Sequence, residues 1–336
     1  MDNLPKYSFL NEYDNAIMLK LFHGQRKPWL QVGNEKWTMP NMYLQYAELI
    51  HNFQARSSDV WVFSFPRSGT TWTQEIVWLI MNDLNFALAT AQHLNDRFPF
   101  LECNMIIDTD VTEELVKTKI NIEEAASEKM DFLLPMFDIV EKMPSPRFIK
   151  SHMPISFFPN VVNSDCKIIY IARNPKDVLV SLYHFNKTNL GWNFGGDFLE
   201  FCDLFLKNLV IWTPYFEHVK EAWNLRHKPN FLFLFYENLK KEIQVSVKTI
   251  ANFLGKEYNS QQIQELCNYV DFQNFKKNAK NYGPYTKVYP SKTFIREGHV
   301  GGWKSIITPD IEKKINAWIE ENLKDTDLSF PEITQD

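Results

Sequence analysis

The sequence predicts an α/β protein in which a central parallel sheet is flanked by helices. Three short apolar runs look like buried strands, and helix-periodic segments of ten or more residues separate them. Parallel strands need such crossover segments, and the helices then cover both faces of the sheet. No internal repeat and no linker-like composition divides the 336 residues, so we expect a single domain, 1–336.

The first strand–helix unit follows an N-terminal decoration, 1–57, which is aromatic, loop-like and interrupted by prolines. Val60 to Phe65 (VWVFSF) is predicted as a buried strand that ends at a proline. Thr70 to Leu84 has one apolar stripe at helical spacing. Further on, 108–145 is acidic and then apolar, which predicts a helical insertion at the surface.

The second and third units repeat this plan. Lys167 to Ala172 (KIIYIA) is predicted as a strand, and Asn174-Pro175 supplies an N-cap and a first-turn proline for the next helix. Asn230 to Phe235 (NFLFLF) is predicted as the third strand. The helix after it is expected to stop at Gly255, and Asn259 is expected to cap another helix.

Composition excludes several classes of protein. An apolar fraction of 45% excludes disorder, and a net charge of −5 makes a nucleic-acid partner unexpected. The four cysteines are far apart and show no zinc-ligand spacing, so no metal is expected; they are Cys103, Cys166, Cys202 and Cys267. The absence of a signal-like start and of a membrane-spanning apolar run predicts a soluble, cytoplasmic protein with no membrane partner.

The segment FPRSGTTW, Phe65 to Trp72, lies where the first strand gives way to its helix. Backbone N–H groups at a helix N-terminus bind anions, and the small or hydroxylated residues of this loop let a phosphate approach closely. The loop is therefore P-loop-like, although it does not match the Walker pattern. Taken alone, an ordinary Ser-Gly turn at a helix cap explains it equally well.

Three further blocks favour an anion site. PRFIKSHMP places Lys150 and His152 two positions apart in an extended stretch, hence on the same side. Imidazole near its unperturbed pKa can accept a proton at neutral pH. ARNPKDVLVSLYHF places Arg173 just beyond a strand end and Ser181 about two helical turns later. REGHVGGWK, Arg296 to Lys304, adds a glycine-rich turn beside a cation.

Together these four blocks resemble the cytosolic sulfotransferase family, whose members transfer a sulfuryl group from 3′-phosphoadenosine 5′-phosphosulfate (PAPS). The resemblance runs from about Trp61 to about Thr308, with the motifs in the family's order. The run RFPFLE, Arg97 to Glu102, and the extra length of 108–145 resemble insect members, including the retinol-dehydrating branch.

The resemblance implies a role for each matching position. The 5′-phosphosulfate would be surrounded by Arg67, Ser68, Gly69, Thr70 and Thr71, with Trp72 stacked on adenine. The 3′-phosphate would be held by Arg173, Ser181, Arg296 and Gly298, and the adenine pocket completed by Tyr236, Phe272 and Phe275. The implied catalytic residues are His152 as general base, with Lys150 and Arg67 stabilising the charge on the leaving phosphate.

The sequence departs from the family pattern at several positions. Arg67 replaces a lysine, Glu297 replaces a basic residue, Val270 replaces a threonine and Gly302 replaces an aspartate. The family's dimer motif, KxxxTVxxxE, is represented only by Lys304, Thr308, Pro309 and Lys313. Because its valine and glutamate are lost, the sequence does not establish the usual homodimer.

The leading hypothesis is sulfuryl transfer to the hydroxyl of a small apolar acceptor: a phenol, a steroid or a retinoid-like alcohol. One alternative is dehydration of a retinol-like alcohol through a sulfated intermediate. Another is a non-catalytic binder of hydrophobic ligands, suggested by Arg67 and Glu297. A P-loop kinase is disfavoured because Arg173 stands where a magnesium-binding aspartate would be needed. The sequence does not identify the acceptor.

Overall fold

Within residues 4–57 the N-terminal segment forms regular structure, so the prediction that 1–57 is loop-like was wrong for this described part. The computed structural model describes residues 4–111, 114, 135–189, 191–278, 282 and 298–332. Within them, β1 (Tyr7–Phe9), β2 (Leu30–Val32) and β3 (Trp37–Met39) form an antiparallel sheet in that order. Each strand has only three residues, too few to show an alternating pattern. Pro28 and Pro40 lie between these elements and interrupt none of them.

The predicted parallel sheet forms the centre of the molecule. Within the described residues its strands are β4 (Val60–Phe63), β5 (Phe148–Ser151), β6 (Lys167–Ala172) and β7 (Phe231–Phe235). They lie in the order β5-β4-β6-β7, and every neighbouring pair is parallel. This arrangement confirms the α/β fold class.

The helices also follow the predicted order. After β4 comes Thr70–Met81, after β6 comes Pro175–Thr188, and after β7 come Tyr236–Lys241, Ile243–Phe253, Ser260–Tyr269 and Phe272–Lys277. The others in the described ranges are Glu12–Leu21, Tyr43–His51, Phe86–Ala91, Leu94–Arg97, Met136–Lys142, Pro159–Val162, Phe198–Leu206, Tyr215–Asn224 and Pro309–Leu323. None of these helices is both long and apolar enough to cross a membrane.

Local signals set several helix ends. The side chains of Asn174 and Asn259 cap the helices that follow them, as predicted. Gly255 lies just beyond the end of Ile243–Phe253 with φ +72°. The first predicted helix stops at Met81, short of Leu84, because Leu84 itself has a left-handed backbone, φ +58°.

Both faces of the central sheet are buried, which explains why its strands read as continuous apolar runs. Along β4, Trp61 and Phe63 face one apolar cluster, and Val60 and Val62 face the other. The two clusters therefore sandwich the sheet. Of the predicted insertion 108–145, residues 112–113 and 115–134 lie outside the described residues, and its final part contains the helix Met136–Lys142.

A buried ion pair fastens the amino-terminal edge of β4 to that of β5. The Nε and Nη2 atoms of Arg147 donate to the two carboxylate oxygens of Asp59 at 2.9 and 2.5 Å. The side chains are 2% and 0% exposed, respectively. Arg147 Nη2 also donates to the carbonyl of Gln54 at 2.8 Å. The pair thus lies at the amino-terminal ends of β4 and β5.

Arg147→Met should lower the free energy of unfolding by about 3–5 kcal/mol, because it strands the buried carboxylate of Asp59. Chemical denaturation measures this loss. Adding Asp59→Asn should restore part of the lost stability by removing the stranded charge. The control Lys207→Met breaks an exposed pair with Asp203 and should change little. Equal losses in Lys207→Met and Arg147→Met would contradict the structural role of the buried pair.

Candidate active site

Groups that follow four parallel strands meet at one edge of the sheet. The loop 64–69 follows β4, His152 follows β5, Arg173 follows β6 and Tyr236 follows β7. They line one cavity, and thirteen of the residues predicted from the sequence are among its walls: Arg67, Gly69, Thr70, Thr71, Trp72, Lys150, His152, Arg173, Ser181, Tyr236, Phe272, Phe275 and Gly298. Ser68 is buried beneath the loop, while Arg296 and Glu297 lie outside the described residues.

The loop after β4 requires glycine at one position. Gly69 has φ +101° and immediately precedes the helix Thr70–Met81. A Cβ atom there would lie 2.6 Å from Cδ2 of Tyr236, whose ring is held by a hydrogen bond from its hydroxyl to the carbonyl of Gly298 at 3.2 Å. The backbone can therefore turn sharply into the helix while Tyr236 packs against it. The first N–H groups of the helix are left at the cavity wall, where an anion can reach them.

Two arginines frame this loop. Arg67 Nε donates to Ser181 Oγ at 3.1 Å, and the Arg67 guanidinium carbon lies 5.0 Å from the centre of the Phe185 ring. Arg173 donates from Nη1 to the carbonyl of Arg67 at 3.1 Å and from Nη2 to the carbonyl of His299 at 2.8 Å. The two cationic positions predicted from separate motifs are thus in direct contact.

The described part of the glycine-rich block lies beside Arg173, whose Nη2 donates to the carbonyl of His299. Asp177, in the helix after Arg173, accepts the N–H of Gly301 at 2.8 Å and that of Trp303 at 3.2 Å. These bonds tie the late turn of the chain to the helix Pro175–Thr188. They also account for the burial of an acidic residue at an otherwise cationic edge.

Aromatic side chains line the cavity next to Arg173, whose guanidinium carbon lies 4.5 Å from the centre of the Tyr236 ring. The Trp72 indole N–H donates to the carbonyl of Val270 at 2.8 Å, and its ring meets that of Tyr236 edge-on with centroids 6.0 Å apart. Phe275 stacks on Tyr282 with centroids 4.1 Å apart. The substitution of Val270 for threonine therefore leaves intact the contact that holds Trp72, since only the backbone of Val270 takes part.

The tautomer of His152 follows from its hydrogen bonds. Its Nδ1 atom lies 2.8 Å from the carbonyl oxygen of Ser64. A carbonyl oxygen can only accept, so Nδ1 carries the proton and Nε2 has a lone pair. Burial, followed by the charge of Lys150, holds the pKa of His152 well below its ordinary value of 6.5. The imidazole is therefore neutral at pH 7, with Nε2 able to accept a proton.

Polar groups behind His152 fix its backbone. His218, fully buried, donates from Nε2 to the carbonyl of His152 at 2.9 Å and accepts the hydroxyl of Tyr170 at Nδ1 at 2.7 Å. The carboxylate of Glu102 accepts the N–H groups of His152 and Met153. Burial lowers the pKa of His218 to about 4 and raises that of Glu102 to about 7. His218 thus supports the backbone of His152 from the buried side.

Sequence reasoning missed the half of the cavity beyond His152. The missed residues are mostly apolar or aromatic and come from distant segments: Phe100, Cys103, Ile106, Val180, Phe185, Asn189, Trp192 and Trp212. Phe100 lies edge-on to His152, with centroids 5.2 Å apart, and Lys150 Nζ is 4.2 Å from the centre of the same ring. In a chain that is 15% aromatic, no sequence signal separates these residues from the core. No metal-binding cluster of three or more His, Cys, Asp or Glu residues occurs among the described residues.

Comparisons with known proteins find the same fold. A family model for the sulfotransferase domain matches residues 57–327. Luciferin sulfotransferase of Photinus pyralis is 33% identical over 307 residues, covering 88% of this chain and 80% of the relative. Retinol dehydratase, solved with androsterone and the inactive cofactor PAP, is 35% identical with a TM-score of 0.88, covering 97% of this chain and 98% of the other. A second structure of retinol dehydratase contains retinol and PAP, with the same identity and TM-score.

Gly69→Ala should lower the free energy of unfolding by about 2–4 kcal/mol, the sum of left-handed strain and a clash with Tyr236. Gly255→Ala is the matched control, because Gly255 also has positive φ, +72°, but a Cβ there would meet nothing within 4 Å. In the control, the free energy of unfolding should therefore fall only by the cost of left-handed backbone strain, about 1–2 kcal/mol. Chemical denaturation of both variants measures the difference. Equal losses would show that Tyr236 does not restrict this position.

Proposed function

This chain belongs to the sulfotransferase family, and we propose that it moves a sulfuryl group from PAPS to the hydroxyl of a small apolar acceptor, with His152 as general base. Its membership of the family, together with the PAP-bound structures of retinol dehydratase, makes the chain a PAPS-dependent transferase. The proposal concerns the class of acceptor and the roles of individual residues.

The hydrogen bond of His152 Nδ1 to the carbonyl oxygen of Ser64 is the observation that carries the proposal. A hydroxyl is a weak nucleophile, so a base must take its proton as attack proceeds. The hydrogen bond to Ser64 and the depressed pKa leave His152 neutral with an available Nε2. His152 lines the same cavity as the anion-binding loop 64–69.

The residues at the sheet edge fit a nucleotide with two separate anionic groups. Ser68 Oγ and Arg173 Nε are buried and have no hydrogen-bond partner among the described residues. Buried polar atoms are normally paired, so both positions favour a ligand with acceptor oxygens. We assign the loop with Arg67 to the 5′ end of PAPS and Arg173 with Ser181 to its 3′-phosphate. Trp72, Phe272 and Phe275 would enclose the adenine.

Positive charge near the loop supports the transfer step. PAPS supplies the sulfuryl group, and its phosphate is the leaving group. Arg67, Lys150 and the N–H groups at the start of the helix Thr70–Met81 are placed to stabilise the negative charge that develops on that phosphate. Arg67 serves as a planar guanidinium where the family has lysine, and Ser181 holds it in place through Nε.

The half of the cavity beyond His152 suits an apolar acceptor. Its rings, Phe100, Trp192 and Trp212, offer flat hydrophobic surface, and His152 packs against Phe100 and Trp212. An acceptor bound there would leave water behind and bring its hydroxyl to the base. The androsterone and retinol bound by retinol dehydratase are alcohols of this class.

A second candidate is dehydration of an allylic alcohol through a sulfated intermediate, favoured by the extent of the match to retinol dehydratase. In that reaction the carbon–oxygen bond of the sulfate ester breaks and sulfate leaves with the electron pair. A proton is then lost from carbon, giving a new double bond. Incubating the protein with retinol and PAPS and identifying the product by mass decides between a sulfate ester and an anhydro product.

His152→Ala should reduce turnover by about 10²–10⁴-fold while PAP affinity stays near the wild-type value, because the base contacts the acceptor. Transfer from radiolabelled PAPS to a panel of phenols, steroids and retinol measures turnover, and calorimetry measures PAP binding. His227→Ala is the control, since it removes an exposed imidazole.

The pH dependence gives an independent check on the same assignment. Since the pKa of His152 is depressed below 6.5, kcat/KM should be flat just above that pH and fall only at lower pH, as the base becomes protonated. A His152→Ala variant with near wild-type turnover would overturn the general-base role. So would an acid limb well above pH 6.5.

PAP should raise the melting temperature more than ATP with magnesium, because only PAP presents anionic groups to both proposed sites. Arg173→Ala should weaken PAP binding by about 10–150-fold, the loss of a charge-assisted contact of roughly 1.5–3 kcal/mol. Arg226→Ala, which removes an arginine paired with Asp327 near the surface, should leave PAP affinity unchanged. Equal stabilisation by the two nucleotides would contradict the two-site assignment.

A further inference from the structure

A short N-terminal segment packs along the part of the chain that carries Trp192. The N–H of Gly24 donates to the carbonyl of Trp192 at 3.1 Å, and the N–H of Gly195 donates to the carbonyl of Leu21 at 2.7 Å. Trp29 stacks on Trp192, with centroids 6.1 Å apart and planes 28° from parallel. The N-terminal decoration therefore supports one wall of the cavity from behind.

Gln25 continues this segment and also reaches Ile106, which lines the cavity from another part of the chain. Its side-chain nitrogen Nε2 donates to the carbonyl of Ile106 at 2.8 Å and to the carbonyl of Gly191 at 3.1 Å. A primary amide has two N–H donors, so both are used. Ile106 lines the cavity directly after the turn Cys103–Met105, and Gly191 adjoins Trp192, so the bridge joins two lining segments, or walls, that are far apart in the sequence. With Gln25 only 4% exposed, this bridge is shielded from water.

The two residues after Gln25 reinforce the connection at the surface. Lys27 Nζ donates to Thr109 Oγ1 at 3.1 Å and lies 3.6 Å from a carboxylate oxygen of Asp108. Arg26 pairs with Glu114 at 2.5 Å, with both side chains about half exposed. The Arg26–Glu114 pair is exposed and stabilises little, whereas Asp108 is fully buried, so Lys27 and Gln25 both tie this segment to the Cys103–Met105 side. Of these three side chains, Gln25 is the one that also bonds to Gly191.

We propose that Gln25 is a positioning residue that holds the two walls of the acceptor half together and thereby sets the width of acceptor that fits. The role in selection rests on the proposed function of this cavity. The mechanical role does not, because it concerns hydrogen bonds within the chain. Loss of the bridge frees the turn that carries Cys103 and Ile106, so the cavity becomes wider and less selective.

Gln25→Met tests the bridge, since methionine has similar length and no donor. Cys103 lines the cavity, is 6% exposed and lies on the bridged turn, so its alkylation by iodoacetamide reports local opening. We expect Cys103 to react about tenfold faster in the variant, with the rates at Cys166, Cys202 and Cys267 unchanged. Peptide mass spectrometry resolves the four rates. Gln45→Met, an exchange at an exposed helix position, is the control and should leave all four unchanged.

Faster reaction of all four cysteines would overturn the proposal by showing global destabilisation, and an unchanged rate at Cys103 would overturn it directly.

Kinetics then test selection with p-nitrophenol as a narrow acceptor and androsterone as a wide one. Gln25→Met should raise kcat/KM for androsterone relative to kcat/KM for p-nitrophenol. The change should come mainly from the KM values of the acceptors, and the KM of PAPS should be unchanged. An unchanged ratio would overturn the role in selection. If the wild type sulfates neither acceptor, the proposed acceptor class is wrong, while the alkylation rates still decide the role of Gln25.

Discussion

The parallel register of β4, β5, β6 and β7 is the constraint on which the site depends. Parallel strands end at one edge of their sheet, so residues that follow different strands become neighbours although long stretches of sequence separate them. Phe63 lies opposite both Ser151 and Tyr170, which fixes where His152 and Arg173 emerge. A slip of one residue in β5 would exchange the faces of Lys150 and its neighbours and take the base away from the loop.

Burial at this edge of the sheet has two consequences. It keeps His152 uncharged, since an imidazolium would lose its hydration there. It also leaves Ser68 Oγ and Arg173 Nε without a partner among the described residues, which costs free energy in a protein interior. A ligand with acceptor oxygens at these two atoms would satisfy them.

What the sequence could predict depends on how locally each feature is encoded. The strands and capped helices around Lys167–Ala172 and Asn174 were predictable because apolar runs and cap residues act over a few positions. The residues that meet at the sheet edge were predictable because they lie in compact motifs at strand ends. The three-residue strands of 1–57 were too short to show a period. The cavity wall formed by Phe100, Trp192 and Trp212 arises only on folding, and in the sequence these aromatics look like core residues.

The two halves of the cavity are held by different kinds of structure. The nucleotide half is built on strand ends and on the helix Thr70–Met81, where the sheet register fixes every position. The acceptor half is built from turns and from the loop around Trp192, which the N-terminal segment braces from behind. Trp212 and Phe100 in turn pack on His152, the proposed base. Under the proposed function, changes in the N-terminal segment would therefore alter which acceptor is held, while the sheet keeps the residues at its edge in place.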